Sequence, residues 1–179
     1  MLVSIVAARL TGQGFDPALL QRMARLLAIF VLVVLYFTAV KHLSNMYVAQ
    51  HWAVEKFILL NGGIYTELFW FGQIIFGSLI PLAILFLPSV REKLLVPALV
   101  LVILGGFAQL YVIVIGGQAF PLEMFPGMIV SSGFYDGEIA GYAPSIYELG
   151  LGVGGVSLAL IITGLAVKIL RILPQPKPE

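Results

Sequence analysis

The chain has 179 residues, of which 60% are hydrophobic and only 11% are charged. A soluble globular domain has about 45–50% apolar and about 25% charged residues, so this composition excludes a soluble fold. The net charge of +1 gives no electrostatic basis for binding nucleic acid. The sequence contains no cysteine, which excludes disulfides, iron–sulfur ligation and thiolate metal sites.

Hydropathy predicts four membrane spans, because a helix needs about 20 mainly apolar residues to cross a bilayer. The predicted spans are 24–43, 68–87, 94–115 and 146–168. Asp16 and Pro17 are typical of a helix start, with an N-cap followed by proline at the first helical position, and they precede the first span. We therefore expect an all-α integral membrane protein. Its four-transmembrane-helix bundle would occupy residues 17–173, between an N-terminal segment (1–16) and a short tail (174–179).

The basic residues predict the orientation of these spans. Eight of the ten Lys and Arg residues fall on one side of the membrane if the spans alternate: Arg9, Arg22, Arg25, Arg91, Lys93, Lys168, Arg171 and Lys177. The positive-inside rule assigns that side to the cytoplasm, so both termini are predicted to be cytoplasmic. The connections 44–66 and 116–144 are then outside. The second is long for a membrane loop, and we expect it to fold over the bundle mouth.

Polar groups that border hydrocarbon are costly, so each of them is a functional candidate. Glu67 comes one residue before an uninterrupted apolar run, where its carboxylate is either interfacial and solvated or directed towards a cavity. Gln73 lies deeper on the same span, where an interhelical hydrogen bond is favoured over catalysis. Glu148 lies in the first turn of the last span, where the helix dipole favours an anion and would alone explain it.

A second group of polar residues is predicted at the outer ends of the spans. Tyr111 and Gln118 are seven residues apart and share a helical face, although Gln118 could equally satisfy backbone groups at the helix end. His42 falls at the outer end of the first span, at the level of Glu67 and Glu148. Groups that exchange protons, gathered from several spans, are what a quinone headgroup site or a proton exit requires. We predict a quinone or proton pocket formed by His42, Glu67, Tyr111, Gln118 and Glu148, without a metal.

Several short motifs together resemble one family. They are YVIVIGGQ at 111–118, AFPLEMFPG at 119–127, YAPSIYE at 142–148 before a glycine-rich last span, and ELFW at 67–70 before a span with an internal proline. The combination resembles the membrane subunits of the polysulfide reductase family (NrfD/PsrC-like), over residues 19–173. It is closest to the branch that includes DsrP and HybB. Members usually have two bundles, and this sequence resembles only the C-terminal four-helix bundle.

The resemblance implies a membrane anchor subunit of a multisubunit respiratory or sulfur-metabolism oxidoreductase. Such a subunit lies in the prokaryotic cytoplasmic membrane and takes part in electron transfer between the quinone pool, menaquinone or ubiquinone, and an extracytoplasmic iron–sulfur subunit. It needs no haem or iron–sulfur centre of its own. The alternative is a purely structural or proton-conducting bundle that completes a split NrfD-like subunit, beside a second four-helix half. The sequence leaves open whether the chain interacts with quinone or is non-catalytic.

Overall fold

The computed structural model describes residues 1–3, 5–6, 17–87, 92–121 and 139–169. All regular structure in these residues is helical. In chain order the main helices are α1 (Pro17–Tyr47), the short α2 (Trp52–Lys56), α3 (Ile64–Leu85), α4 (Lys93–Ala119) and α5 (Ile146–Ile169). All of these except α2 are long and apolar enough to cross a membrane. The expectation of an all-α protein with four membrane-length helices is confirmed.

The chain divides into two compact units, which we describe separately. The larger, Ala24–Tyr142, contains most of α1 together with α2, α3 and α4, and we call it the core unit. The other combines residues 1–23 with residues 143–179 and contains α5. The predicted tail at 174–179 and residues 7–16 of the predicted N-terminal segment lie outside the described residues.

Within the core unit, α3 and α4 approach each other closely at a pair of glycines. The Cα atom of Gly77 lies so near that of Gly105 that a Cβ atom on either residue would overlap the other's backbone. Glycine at such a crossing lets two membrane helices gain van der Waals contact that larger residues would prevent.

The face that α1 buries repeats every three or four residues, as expected for a helix with one packed face; its buried members are Ala24, Ala28, Val31, Thr38 and His42.

The connection between α1 and α3 is folded rather than extended. A 3₁₀ turn at Ala49–His51 leads into α2, and a π-helical turn at Phe57–Asn61 follows it. The chain then reverses at Gly63, whose φ of 55° lies in the left-handed region that favours glycine. We call residues 48–63 the cap segment. It places α2 at the end of the core unit where α1 ends and α3 begins, which we call the mouth.

Side-chain contacts hold the cap segment in place. The Trp70 indole N–H donates to the Leu59 carbonyl at 2.9 Å, and the Thr66 hydroxyl donates to the Phe57 carbonyl at 3.2 Å. The Phe57 ring packs 5.4 Å from that of Phe120, just beyond the end of α4. The cap segment is therefore part of the packed core at the mouth; the buried cluster there is Phe57, Ile58, Tyr65, Phe69, Val112 and Ala119.

Most of the connection that the sequence predicted to fold over the mouth, residues 122–138, lies outside the described residues. The described residues after it return to the end of α4, where the Ala140 N–H donates to the Ala119 carbonyl at 2.9 Å.

Two of the long helices also contain π-helical stretches, Leu68–Leu79 in α3 and Val112–Gly116 in α4. Such stretches are rare and often occur at functional sites.

Candidate functional site

A cavity of about 130 Å³ lies at the mouth of the core unit, between α1, the cap segment, α3 and α4. For comparison, an apolar cavity of about 150 Å³ in another protein binds benzene. This mouth cavity therefore has room for one ring-sized group. Its lining combines polar side chains with apolar ones: Thr38, Lys41, His42, Asn45, Glu55, Gln73 and Gln109, with Val54, Ile58, Phe69, Val112, Ile113 and Gly117.

The polar lining from α1 follows directly from helical geometry. Thr38, Lys41, His42 and Asn45 stand at positions i, i+3, i+4 and i+7, which place them on one face of the helix. Thr38 and His42 are buried, whereas Lys41 is exposed at the mouth. The end of α1 at the mouth thus carries a polar stripe that lines the cavity.

The central feature of the cavity is a buried pair formed by His42 and Glu55. His42 Nδ1 lies 2.5 Å from Glu55 Oε2, and Asn45 Nδ2 donates to Glu55 Oε1 at 2.7 Å. Glu55 is only 2% exposed, so these contacts replace the water that its carboxylate has lost. With Glu55 ionised, its carboxylate only accepts hydrogen bonds and Nδ1 is the donor. That arrangement leaves Nε2 as the ring nitrogen that can accept a proton.

Two further contacts fix the surroundings of this pair. The Phe69 ring meets the His42 ring edge to face, with centroids 4.8 Å apart and planes at 70°. Gln73 Nε2 donates to Thr38 Oγ1 at 3.3 Å, which joins α3 to α1. The interhelical role favoured for Gln73 is therefore present, and the same side chain also lines the cavity. The cavity is thus held by contacts between α1, the cap segment and α3.

The five residues predicted from the sequence occupy different places. His42 lines the mouth cavity and is buried. It was expected at the end of the first span, but α1 continues to Tyr47. Glu67 and Gln118 are exposed and are not among the lining residues. Tyr111 stacks on Tyr65 with ring centroids 6.0 Å apart. Of the four predicted residues in the core unit, the structure brings only His42 to the cavity.

Glu148, the fifth, belongs to the other unit and caps α5. Its carboxylate accepts the Ser145 N–H at 2.6 Å, and the Ser145 hydroxyl accepts the Glu148 N–H at 3.3 Å. This reciprocal arrangement is a capping box, which satisfies donors that a helix start otherwise leaves unpaired. The expected role of an anion at this helix start is therefore present. A role for Glu148 in a quinone or proton pocket stays a prediction.

Sequence reasoning missed Glu55, the central carboxylate, because the residue falls in the predicted outer connection. It also missed Asn45 and Gln109. One signal was available: the polar stripe that ends α1 marks a face needing polar partners.

No group of three or more His, Cys, Asp or Glu side chains in the described parts of the chain could hold a metal ion.

The model of the family described as polysulphide reductase, NrfD, matches residues 1–122, which include every residue that lines the mouth cavity. The chain belongs to the NrfD family. This confirms the resemblance found in the motifs, and with it a multi-pass membrane protein. The DsrP/HybB branch and the assignment to the C-terminal bundle stay predictions.

A curated relative supports the same membership. The Hdr-like menaquinol oxidoreductase integral membrane subunit of Archaeoglobus fulgidus is 31% identical over 176 residues, which cover 96% of this chain and 44% of the relative. The chain thus spans less than half of that relative's length. No solved structure matches the chain.

Proposed function

We propose that this NrfD-family chain is the membrane anchor subunit of a quinone-linked oxidoreductase, and that its mouth cavity binds the headgroup of the quinone or quinol. The observation that carries the proposal is the buried His42–Glu55 pair in a cavity of ring size. Family membership and a relative that is a menaquinol oxidoreductase subunit support it. The quinone would be menaquinone or ubiquinone, and the membrane the cytoplasmic membrane of a prokaryote.

The residues of the cavity fit such a headgroup. A quinone carbonyl needs a hydrogen-bond donor, and the ammonium of Lys41 and the amides of Gln73 and Gln109 are donors in the lining. The faces of the ring need apolar neighbours, which Phe69 and Val112 provide. A few polar groups set in a mainly apolar pocket are the usual composition of a small-molecule site.

The chemistry supplied by a bound quinol is the release of two electrons and two protons. His42 would accept one of these protons at Nε2, because Glu55 holds the opposite nitrogen and its carboxylate stabilises the imidazolium that results, and the other proton would pass to water at the open mouth of the cavity. Asn45 keeps the carboxylate in place through its second oxygen. The exposed Lys41 and the partly exposed Asn45 lie where the cavity meets the mouth, so the proton has a short path to solvent.

The electrons would pass to an iron–sulfur partner subunit that docks at the mouth. The support is a group of large side chains that the cap segment and the end of α1 leave exposed. Tyr47 is 93% exposed, and Trp52 and Leu60 are also exposed. Aromatic and aliphatic surface beside polar groups is typical of protein interfaces. With the predicted orientation, this partner would be extracytoplasmic.

The test replaces His42 by Gln and, separately, Glu55 by Gln in the assembled complex. We expect quinol-linked turnover per complex to fall about a hundredfold, the usual scale of a lost general base. His51→Gln is the matched control, because His51 is an exposed histidine of the cap segment outside the cavity lining. Turnover at the parental rate in both cavity variants would refute the proposal. Where a variant assembles poorly, the affinity of a quinone-site inhibitor for the complex that does assemble is measured instead, and parental affinity in that variant would refute the proposal.

A second candidate function is a purely structural or proton-conducting bundle that completes a split NrfD-like subunit and has no quinone site. The observation in its favour is the Gln73–Thr38 hydrogen bond, which shows that a cavity residue also joins two helices. The same variants separate the two candidates. Loss of assembled complex with unchanged turnover per remaining complex would favour the structural role.

A further inference from the structure

A second cavity, of about 180 Å³, lies between the same three long helices but further from the mouth. On α1 its lining is centred eleven residues before that of the mouth cavity, roughly 16 Å along the helix. It is lined mainly by apolar and small residues: Phe30, Val31, Val34, Val102, Gly105 and Gly106. Gln73 and Gln109 line both cavities, so the two share one wall.

Close packing does not account for this deep cavity. Gly105 is explained by its contact with Gly77, but a Cβ atom on the neighbouring Gly106 would meet no atom of the described residues within 4 Å. An unfilled apolar space forfeits van der Waals contacts and destabilises a fold. Phe30 and Val34 are exposed, so the space opens at the helix surface.

We infer that the deep cavity holds the first part of the prenyl tail of the quinone whose headgroup occupies the mouth cavity. This inference rests on the proposed function. A prenyl chain is a branched hydrocarbon attached directly to the ring, so it needs an apolar space that adjoins the headgroup site. The shared wall provides the adjacency, and the opening near Phe30 and Val34 lets the remaining tail continue into lipid.

The placement also orients the ring. In a quinone with a methyl group and a prenyl tail on neighbouring carbons, one carbonyl is beside the tail and the other is beside the methyl. A tail that passes Gln73 and Gln109 puts the first carbonyl next to their amides. The carbonyl beside the methyl then faces His42. His42 therefore serves one defined oxygen of the ring.

The first experiment uses a 2-methyl-1,4-naphthoquinone whose tail carries a diazirine on its first isoprene unit. The assembled complex in lipid nanodiscs is irradiated with this probe, and the labelled peptides are mapped with and without excess tailless 2-methyl-1,4-naphthoquinone. We expect labels near Val31 and Val34 on α1 and near Val102 and Gly106 on α4, removed by the tailless ring.

Each of the other outcomes contradicts a specific part of the inference. Competed labels elsewhere, such as on α1 beyond His42, would refute the tail position and leave the headgroup site standing. Labels in the deep cavity that the tailless ring does not displace, beside labels at the mouth cavity that it does displace, would show that the tail enters the deep cavity independently of the headgroup, which refutes the inference. If the tailless ring displaces no label anywhere, the proposed quinone site itself fails.

A pair of variants gives a second, independent measurement. Gly106→Leu fills the deep cavity and should raise the ratio of the Kd for the tailed naphthoquinone to that for the tailless one about tenfold. Gly117→Leu is the matched control, because Gly117 lines the mouth cavity and also has open space around its Cβ position. It should weaken the binding of both compounds alike. An unchanged ratio in Gly106→Leu, with parental helix content, would refute the inference.

Discussion

Gly77 of α3 and Gly105 of α4 meet backbone to backbone, and neither position has room for a Cβ atom. The contact lies on the side of the mouth cavity away from the mouth, since Gly77 and Gly105 also line the deep cavity. The distance between α3 and α4 at this contact therefore determines how far apart Gln73 and Gln109 lie in the wall that the two cavities share. A change at this crossing should alter both stability and the site.

Gly77→Ala should destabilise the protein by about 1–3 kcal/mol, because the added methyl forces α3 and α4 apart. The control is Gly106→Ala, one residue from Gly105, where the Cβ position is open. That variant should keep or slightly increase stability, since alanine is a better helix former than glycine. Denaturant unfolding in detergent micelles measures both. Equal stability of the two variants would contradict the packing described for this crossing.

Asn45→Ala should lower quinol-linked turnover by about tenfold, less than loss of the base itself, because Asn45 holds the carboxylate that positions His42. The change leaves Glu55 Oε1 without its amide donor and frees the carboxylate to move relative to His42. Turnover is compared with that of Ser44→Ala, on the neighbouring residue of α1, which lies outside the lining of the mouth cavity. Parental turnover in Asn45→Ala would show that Asn45 does not position the carboxylate.

Glu67→Gln separates the site predicted from the sequence from the cavity found in the structure. Glu67 is exposed and does not line the mouth cavity, whereas Glu55 is buried within it. The substitution is the same at both positions, so each variant controls for the other. We expect parental turnover from Glu67→Gln and the large loss from Glu55→Gln. The reverse result would move the proton-accepting site to the start of α3.

Glu148→Gln and Glu148→Ala test the capping role of this residue. Glutamine can take the place of glutamate in a capping box, whereas alanine cannot. We expect Glu148→Ala to destabilise the start of α5 by about 1 kcal/mol and Glu148→Gln to have a smaller effect. Hydrogen exchange at the first turn of α5 measures this. A fall in quinol-linked turnover in Glu148→Gln, with parental exchange, would instead support the predicted role in the pocket.

The predicted topology is tested with reporter fusions. Fusions after Lys93 and after Glu179 should report the cytoplasm, and fusions near Lys56 and Asp136 should report the outside, because of the distribution of basic residues. The mouth would then face outwards, as the proposed iron–sulfur partner requires. A cytoplasmic signal from the fusion near Lys56 would reverse the orientation and place that partner on the other side.

Sequence reasoning predicted the helices better than the site, for a physical reason. A membrane span is specified locally, by the hydropathy of about 20 consecutive residues. The His42–Glu55 contact instead depends on a reversal of the chain at the end of α1, which returns α2 to the mouth. The turns of the cap segment leave no hydrophobic periodicity in the sequence, so this contact could not be predicted from it. The Gly77–Gly105 contact is equally non-local, because it joins two helices through residues that only the packing can pair.

The π-helical stretch of α3, Leu68–Leu79, also affects how relatives of this chain should be aligned. Its hydrogen bonds join residues five apart instead of four, so each turn contains more residues than an α-helical turn. Loss of one residue there would rotate the start of α3 relative to Gln73 and break the match between Phe69, His42 and the cavity. A single-residue gap at this stretch in a family alignment would therefore identify members that have lost this arrangement, even where every polar residue is kept.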